Sequence, residues 1–306
     1  MVLKEYNYYY PLDVARFLLA FFVIAIHTTK WDCEYINRSL ELAVPFFFFT
    51  SGFFLQQKSH NATKGDVIKK WLSRVIKMYM IWTLVYIPFT IYGFFFEKDT
   101  LPNCFMGILL GTGKYAWHLW YLVASIIGGG IILLYKKLKI NFIFVLLISF
   151  GIYMLFSFLD QDFPEHYILF AVKRIVRGLI FLLLGMGIWT VWPILKRYIL
   201  PLVLSSFVLL VLYIKLGGDF YFLGCAALFF IILLLCDNIK CETAYGFLFR
   251  KLSAYIYFIH MLFVGILTMA FEMDDSLMKL LVVSILSLVF AYFRVRFSLM
   301  NNKCAS

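Results

Sequence analysis

Charged residues are scarce in this sequence. Only 15% of the 306 residues are Asp, Glu, Lys or Arg, whereas 63% are hydrophobic and 20% are aromatic. A soluble globular domain has about a quarter charged and about half apolar residues, so this composition, with a mean hydropathy of +0.89, excludes that class. No polar stretch is long enough for a separate soluble domain, because the longest, residues 57–74, has room only for a short helix. We expect one transmembrane domain over residues 1–306.

Long apolar runs mark the predicted membrane spans. Ten runs approach the length of about 20 residues that a helix needs to cross a bilayer. This predicts an all-α, polytopic integral membrane protein with about ten transmembrane helices. The runs cover residues 12–30, 40–56, 75–96, 115–135, 141–159, 168–192, 199–214, 220–236, 252–271 and 277–297. A shorter run, residues 105–110, is predicted to be re-entrant or interfacial.

The distribution of basic residues predicts the orientation. Starting from a cytoplasmic N-terminus, the 28 Lys and Arg residues divide into 18 on inner loops, nine on outer loops and Arg16 within the membrane. Because positively charged loops stay on the cytoplasmic side, we predict that the N- and C-termini are both cytoplasmic in a multi-pass protein of the cell membrane. Orientation and anionic lipid headgroups account for the net charge of +11, and no nucleic-acid partner is expected.

Cysteine is also rare and has no metal-binding pattern. The six cysteines include no Cys-x-x-Cys pair and no spacing typical of a metal site, so no metal is predicted. Cys33 and Cys104 both fall on predicted outer loops. They either pair in an oxidising compartment or remain separate thiols.

Ionisable residues interrupt the first apolar run. A charge in hydrocarbon costs about 2.5–3.5 kcal/mol even on insertion scales, so such residues usually pair, line a cavity or react. Arg16 and His27 are eleven residues apart, which places both on one face of a helix, about 16 Å apart along its axis. Asp13, Ala20 and Val23 complete this stripe. His27 is the best candidate base, because imidazole exchanges protons near neutral pH.

Two N-terminal motifs resemble those of a known family. Leu12-Asp13-x-x-Arg16, followed by His27, is similar to the opening helix of the membrane acyltransferase-3 family. Residues 44–55, VPFFFFTSGFFL, resemble the second helix of that family, which ends in an aromatic run and Ser-Gly-Phe.

Two later motifs follow in the same order. Residues 117–122, WHLWYL, are similar to the family's His-Leu-Trp-Phe-Leu signature, and residues 252–262, LSAYIYFIHML, resemble its Ser-x-x-x-Tyr-x-x-His element. One motif departs from the pattern, because Arg74-x-x-Lys77 stands where the family often has Arg-x-x-Arg. Members of the family are multi-pass enzymes that acylate sugars of the cell envelope and related acceptors, so the resemblance implies this activity.

The resemblance also implies roles for the basic and ionisable residues. His27 would act as base or transient acyl carrier, with Asp13 and Arg16 organising it, although Arg16 can instead pair with Asp13 or extend to the membrane surface. Lys70, Arg74 and Lys77 would hold the phosphates of an acyl-CoA donor through charge-assisted hydrogen bonds. The positive-inside rule explains the donor-site cations equally well.

The same motifs predict residues that accept the second substrate or line the cavity: Ser51, His118, Trp120, Tyr121, Tyr257 and His260. Arg177, the deepest basic residue at the start of the sixth predicted span, is a further candidate for the cavity lining. Each has an alternative interpretation. The aromatic residues also suit an interfacial belt, Arg177 can pair with acidic residues of the preceding loop, and Tyr257 and His260 can form interhelical hydrogen bonds.

These observations predict a membrane O-acyltransferase. It would transfer an acyl group, most simply acetyl, from acetyl-CoA or another acyl-CoA to a hydroxyl of a cell-envelope glycan or glycolipid. Acyl-CoA is then a co-substrate, and no permanently bound cofactor is expected. The alternative is a transporter or exporter of a small molecule or polysaccharide on the same membrane fold, although the absence of a clear internal repeat disfavours the repeat-built transporters.

Overall fold

The computed structural model describes residues 9–61, 64–96, 100–162, 167–218, 221–236 and 244–304. Throughout these ranges the regular structure is helical, without any strand. This confirms the predicted all-α fold.

The helices follow one another with short connections. The α-helices of the described ranges are α1 (Tyr10–Thr28), α2 (Glu34–Glu41), α3 (Ala43–Asn61), α4 (Lys64–Phe96), α5 (Leu101–Leu110), α6 (Trp120–Lys137), α7 (Phe142–Asp162), α8 (Tyr167–Leu195), α9 (Ile199–Leu216), α10 (Tyr221–Cys236), α11 (Ala244–Phe271) and α12 (Leu277–Cys304). Short 3₁₀ turns, Trp117–Leu119 and Lys196–Tyr198, precede α6 and α9.

Eight helical segments of the described chain are long and apolar enough to cross a membrane. One of them, Ala171–Leu216, has 46 residues and would extend about 70 Å as a straight helix, more than twice the hydrocarbon thickness of about 30 Å. The 3₁₀ turn Lys196–Tyr198 divides it, and its two parts contain the sixth and seventh predicted spans. The eighth predicted span corresponds to the shorter apolar helix Leu223–Cys236. The prediction of a multi-pass membrane protein is therefore confirmed.

Helical structure extends further into the polar residues 57–74 than the apolar runs do, since α3 continues to Asn61 and α4 already begins at Lys64. Hydropathy detects only the part of a helix that is apolar, whereas Lys and Trp residues continue a helix beyond it at little cost. Helix α2 was not predicted for the same reason.

Residues 105–110 form the end of helix α5, which begins earlier than the apolar run. The hydroxyl of Thr100 accepts a hydrogen bond from the Asn103 amide (3.4 Å) at the first turn, and Gly111 ends the helix with φ +67°. The apolar run alone underestimates the length of the helix, because the first turn of α5 contains the polar residue Asn103. The hydroxyl of Tyr79 on α4 donates to the Ile108 carbonyl and holds α5 in place.

Contacts within the chain divide it into two compact units. The first contains Met1–Phe47 and Ile194–Ser306, and the second contains Phe48–Pro193. In the first unit α1 packs mainly against α11, with α10 and α12 beside it, and α9 pairs with α10. In the second unit α4 packs against α6.

Two polar connections fix the end of α1 in the first unit. The Ser276 amide, just before α12, donates to the Thr28 carbonyl (2.8 Å). The Thr29 hydroxyl in turn donates to the Ser276 carbonyl (3.3 Å). The last turn of α1, which carries His27, is thereby tied to the start of α12.

Glycines bring α3 and α8 together in the second unit. A Cβ atom added at Gly52 would lie 2.0 Å from the Leu182 carbonyl oxygen, and one added at Gly185 would lie 2.2 Å from the Phe49 carbonyl oxygen. Real Cβ atoms do not approach so closely, so only glycine permits this backbone contact. The glycine of the Ser51-Gly52-Phe53 motif therefore has a packing role.

Candidate active site

The predicted polar stripe of α1 faces the protein interior. Asp13 is 1% exposed, Ala20 is fully buried and Val23 is 1% exposed. The side chain of Arg16 is 15% exposed and His27 is half-buried. The exposed apolar side chains of α1 are on other faces: Leu18, Phe22 and Ile26. The eleven-residue spacing thus places both ionisable groups away from lipid.

His27 meets a second imidazole from α11. The rings of His27 and His260 stack with centroids 5.6 Å apart and an angle of 29° between their planes. His260 is fully buried, and its Nδ1 atom lies 2.7 Å from the Tyr257 carbonyl oxygen. A carbonyl can only accept, so Nδ1 is the donor, and in the neutral ring Nε2 carries a lone pair. The structure therefore places a base with a fixed tautomer against His27.

Asp13 is held between two guanidinium groups. Its Oδ1 atom lies 3.2 Å from Nη1 of Arg16, and its Oδ2 atom lies 3.8 Å from Nη1 of Arg250 on α11. Arg250 is the more exposed of the two guanidinium residues, with 39% of its side chain exposed against 15% for Arg16.

Arg250 was missed by the sequence analysis, which grouped it with the basic loop residues. A signal was present, since Arg250, Ser253, Tyr257 and His260 follow one another at spacings of three, four and three residues. Such spacings place side chains on one face of a helix. Extending the Ser-x-x-x-Tyr-x-x-His element backward by one turn would have found it.

The two helices contribute matching polar faces. Asp13 lies near Arg250 toward the start of each face, and His27 lies against His260 toward its end. Helices α1 and α11 therefore run in the same direction. Their contact has an ionic end and an imidazole end.

The second unit brings three of the predicted acceptor residues together. The hydroxyls of Ser51 and Tyr121 are hydrogen-bonded at 3.0 Å. The ring of Phe48 lies 4.5 Å from the Tyr121 ring and 5.7 Å from the Trp120 ring, between ring centroids. The guanidinium of Arg174 lies 5.8 Å from the Trp120 ring, within the range of a cation–π contact.

His118 and Arg177 lie in the same unit. His118 is 2% exposed and packs edge-on against Tyr86, with centroids 5.1 Å apart. Arg177 is half-buried on α8. Trp120 is 9% exposed whereas Trp117 is 41% exposed, so within this motif the interfacial position expected of a belt tryptophan suits Trp117.

The predicted donor residues form a basic face on α4. Lys70, Arg74 and Lys77 are all exposed and follow at spacings of four and three residues, which places them on one side of the helix. Nε of Arg74 donates to the Lys70 carbonyl (3.3 Å).

Two of the cysteines considered in the sequence analysis are described. Cys33 is exposed before α2, and Cys104 is half-buried on α5. Neither of them is in a disulfide, so they remain separate thiols in this structure.

A helical membrane protein with buried imidazoles and a buried ion cluster belongs to the class of multi-pass membrane proteins with an internal polar site. A comparison with protein families defines the class further. Residues 9–294 match the model of the acyltransferase domain family acyltransferase-3, and the chain therefore belongs to this family. The resemblance to the acyltransferase-3 family is thus confirmed over nearly the whole chain.

Similarity to individual proteins is partial. An amino-acid racemase of Enterococcus faecalis is 39% identical over 133 residues, which is 40% of this chain and 18% of that protein. A serine/alanine racemase of Enterococcus gallinarum is 25% identical over 154 residues, or 47% of this chain and 22% of that protein. The chain thus spans about a fifth of the length of these curated relatives. No solved structure matches.

Proposed function

We propose that this membrane acyltransferase moves an acyl group, most simply acetyl, from acyl-CoA to a hydroxyl of a cell-envelope glycan or glycolipid, and that it works in the cytoplasmic membrane. The observation that carries the proposal is the stacking of His27 on the fully buried His260 at 5.6 Å. Acyl transfer to a hydroxyl needs a positioned base, and a half-buried imidazole held by a second ring suits that task.

The proposed reaction is a direct exchange of ester for thioester. The acceptor hydroxyl gives its proton to His27 as its oxygen attacks the thioester carbonyl carbon. The carbon–sulfur bond then breaks, and the imidazolium returns the proton to the leaving CoA sulfur. An acyl ester and free CoA thiol are the products. If His27 is instead a transient acyl carrier, its ring nitrogen receives the acyl group first and the net reaction is the same.

Two groups of cations support binding of the CoA phosphates. In the first unit, Nη1 of Arg16 lies 3.2 Å from one oxygen of the Asp13 carboxylate and Nη1 of Arg250 lies 3.8 Å from the other, which brings two guanidinium groups to one end of the α1–α11 contact. In the second unit, Lys70, Arg74 and Lys77 form the exposed basic face of α4. Guanidinium groups bind phosphate with two parallel hydrogen bonds, whereas lysine offers a point charge.

The proposal is tested with membranes that contain the full chain, radiolabelled acetyl-CoA and an envelope-glycan acceptor. A positioned base contributes about 10²–10⁴ in rate, so we expect His27→Ala to lower label transfer to the glycan by this factor. His60→Ala is the matched control, since His60 is an exposed histidine whose ring lies 5.0 Å from that of Trp189. Equal transfer by the wild type and His27→Ala would show that His27 has no role as base or carrier.

A second variant tests the contribution of His260. His260→Phe keeps an aromatic ring against His27 and removes both nitrogens. If His260 positions His27 through its fixed tautomer, this variant lowers transfer and changes the dependence of the rate on pH. An unchanged rate and pH profile would mean that His260 only fills space.

The names of the relatives favour one alternative. Both are racemases of amino acids, and the same buried polar groups would suit the passage of a small amino acid through the membrane. Vesicles that contain the chain and are given labelled serine or alanine distinguish the two functions. A transporter moves the amino acid without releasing CoA, whereas the proposed enzyme releases CoA thiol in proportion to acceptor acylated.

A further inference from the structure

An apolar cavity lies in the second unit, and none of its lining residues belongs to the candidate site. It has a volume of about 210 Å³ and lies among α6, α7 and α8. Its lining includes Ile131, Phe144, Ile148, Ile152, Val176 and Leu179. The one polar side chain in the lining, Ser149, donates its hydroxyl hydrogen to the Val145 carbonyl (2.8 Å) of its own helix. The cavity therefore offers a ligand only apolar contacts.

Helix α7 lies at the periphery of the second unit. Because few of its side chains are buried, it leaves space between itself and α6 and α8. Among its residues with described side chains, only Ser149 and Tyr153 are buried. Its first turn is anchored by Phe142, whose ring lies 6.3 Å from that of Tyr135 on α6. The lining residues Phe144, Ile148 and Ile152 are 57%, 46% and 39% exposed, so the cavity opens along the exposed side of α7, where an acyl chain of the bilayer can enter it.

The cavity ends beside a basic turn at the edge of the membrane. Ile140 lines the cavity and directly follows Lys139. The candidate membrane spans end at Lys137 and resume at Phe142, so the turn between them lies at headgroup level. Lys137 and Lys139 are exposed and Lys136 is half-buried.

The turn has a defined geometry. Lys139 has φ +54°, and the Ile140 amide donates to the Tyr135 carbonyl (2.9 Å), which is the hydrogen bond that closes a helix with a left-handed residue. The lysines thus belong to an ordered helix end that is continuous in sequence with the lining residue Ile140.

We propose that this cavity and the Lys136–Lys139 turn form a binding site for one anionic phospholipid of the bilayer. One acyl chain occupies the cavity, and the phosphate of the headgroup lies against the lysines. Basic pockets between transmembrane helices bind anionic headgroups in this way, and apolar cavities stay dry and accept apolar ligands. A second copy of the chain fits less well, because a helix about 10 Å in diameter cannot enter so small a space.

The test uses wild-type protein in bilayers and two lipids with the same photoreactive acyl chain. One is a phosphatidylglycerol and the other a phosphatidylcholine. We expect the phosphatidylglycerol to label the peptide of residues 140–152 at least about tenfold more strongly, given the attraction of several lysines at headgroup level. Equal labelling by both lipids, labelling spread evenly over the exposed helices, or cross-linking to a second copy of the chain would overturn the proposal.

Matched variants separate the two parts of the site. Ile148→Trp fills the cavity and should abolish labelling, whereas Leu147→Trp, at a neighbouring position that is 63% exposed and does not line the cavity, should not. Replacing the three lysines of the turn by Gln should remove the preference for phosphatidylglycerol. Replacing Lys196 and Arg197 by Gln, at another helix end, should leave that preference unchanged.

The melting temperature, measured with and without lipid, distinguishes loss of lipid binding from poor folding of a variant. A ligand that binds only the folded state raises the melting temperature. Added phosphatidylglycerol should therefore raise it for the wild type and Leu147→Trp but not for Ile148→Trp. The same rise in all three proteins would show that the lipid acts elsewhere and would overturn the proposal.

Discussion

The contact of α1 with α11 and the contact of α3 with α8 are built from opposite kinds of residue. Between α1 and α11 there are two imidazoles in contact and a carboxylate between two guanidiniums. Between α3 and α8 there are two glycines, Gly52 and Gly185, each against a backbone carbonyl. The first contact holds groups that can exchange protons or bind anions, and the second holds the helices at short distance.

This difference indicates that the reactive groups and the close helix packing are in different parts of the molecule. Buried ionised groups are seldom the best way to stabilise a protein, because the cost of removing them from water can exceed their attraction. Their retention between α1 and α11 therefore points to a function. Backbone contact through glycine has no comparable chemical use, and its value lies in packing.

The largest expected effect is at the ionic end of the first contact. Asp13→Ala leaves the guanidinium of Arg16 buried without the carboxylate, and breaking a buried pair from one side costs about 3–5 kcal/mol. We expect a loss of stability in this range, together with loss of acyl transfer. Denaturant or thermal unfolding of the purified protein measures the first, and the label-transfer assay measures the second.

A matched control uses the ion pair of Arg38 with Glu34. The side chain of Arg38 is 16% exposed, about as much as that of Arg16, but the carboxylate side chain of Glu34 is 72% exposed. Arg38 also donates to the carbonyls of Ile214 (3.0 Å) and Lys215 (2.6 Å), so its guanidinium stays hydrogen-bonded without Glu34. A pair with a solvated partner contributes about 0–1 kcal/mol. Glu34→Ala should therefore change stability little. If both variants lose the same stability, burial of Asp13 has no energetic consequence and the contrast between the contacts is wrong.

The sequence was sufficient to predict the all-helical class and to predict which residues share one face of a helix. Apolar run length predicted the membrane helices, since the bilayer fixes how many residues must be apolar. It could not predict that α4 begins at Lys64 or that α2 exists, because hydropathy does not detect polar helical turns. Helix ends depend on local propensity and capping, which a run of apolar residues does not report.

From the sequence, the site residues could be grouped within each helix, but the contacts between helices could not be predicted. The eleven-residue spacing placed Arg16 and His27 on one buried face of α1, because helical periodicity is a local property. That His260 and Arg250 would supply the partners of this face depends on which helices pack together. The spacing of residues in a single sequence shows the face of a helix but not which other helix packs against that face. The family motifs pointed to His260 but not to Arg250.

A smaller effect is expected at the glycine contact. Gly52→Ala places a Cβ atom 2.0 Å from the Leu182 carbonyl oxygen, so α3 and α8 must separate, and overpacking of this kind costs about 1–3 kcal/mol. Thermal unfolding in one detergent measures the loss. Gly130→Ala on α6 is the control, since a Cβ there meets nothing within 4 Å, and it should be neutral or slightly stabilising. If Gly52→Ala unfolds at the same temperature as the wild type, the close approach of α3 to α8 is not required for stability.

The smallest effect is expected at the hydrogen bond of Ser51 with Tyr121 (3.0 Å). A double-mutant cycle with Ser51→Ala and Tyr121→Phe should give a coupling energy of about 0.5–1.5 kcal/mol, the usual net value of one such bond. Ser205→Ala, which removes only an exposed bond to the Leu202 carbonyl, should leave stability nearly unchanged.

The same variants show whether the second unit contributes chemistry as well as shape. If Ser51 and Tyr121 contact the acceptor, each variant raises the acceptor concentration needed for half-maximal transfer by more than its loss of stability explains. If the hydroxyl pair only joins α3 to α6, transfer per folded molecule stays at the wild-type level at every acceptor concentration. The second result would confine the reacting groups to the α1–α11 contact, because the hydroxyls nearest the Ser-Gly-Phe motif would then have no part in binding the acceptor.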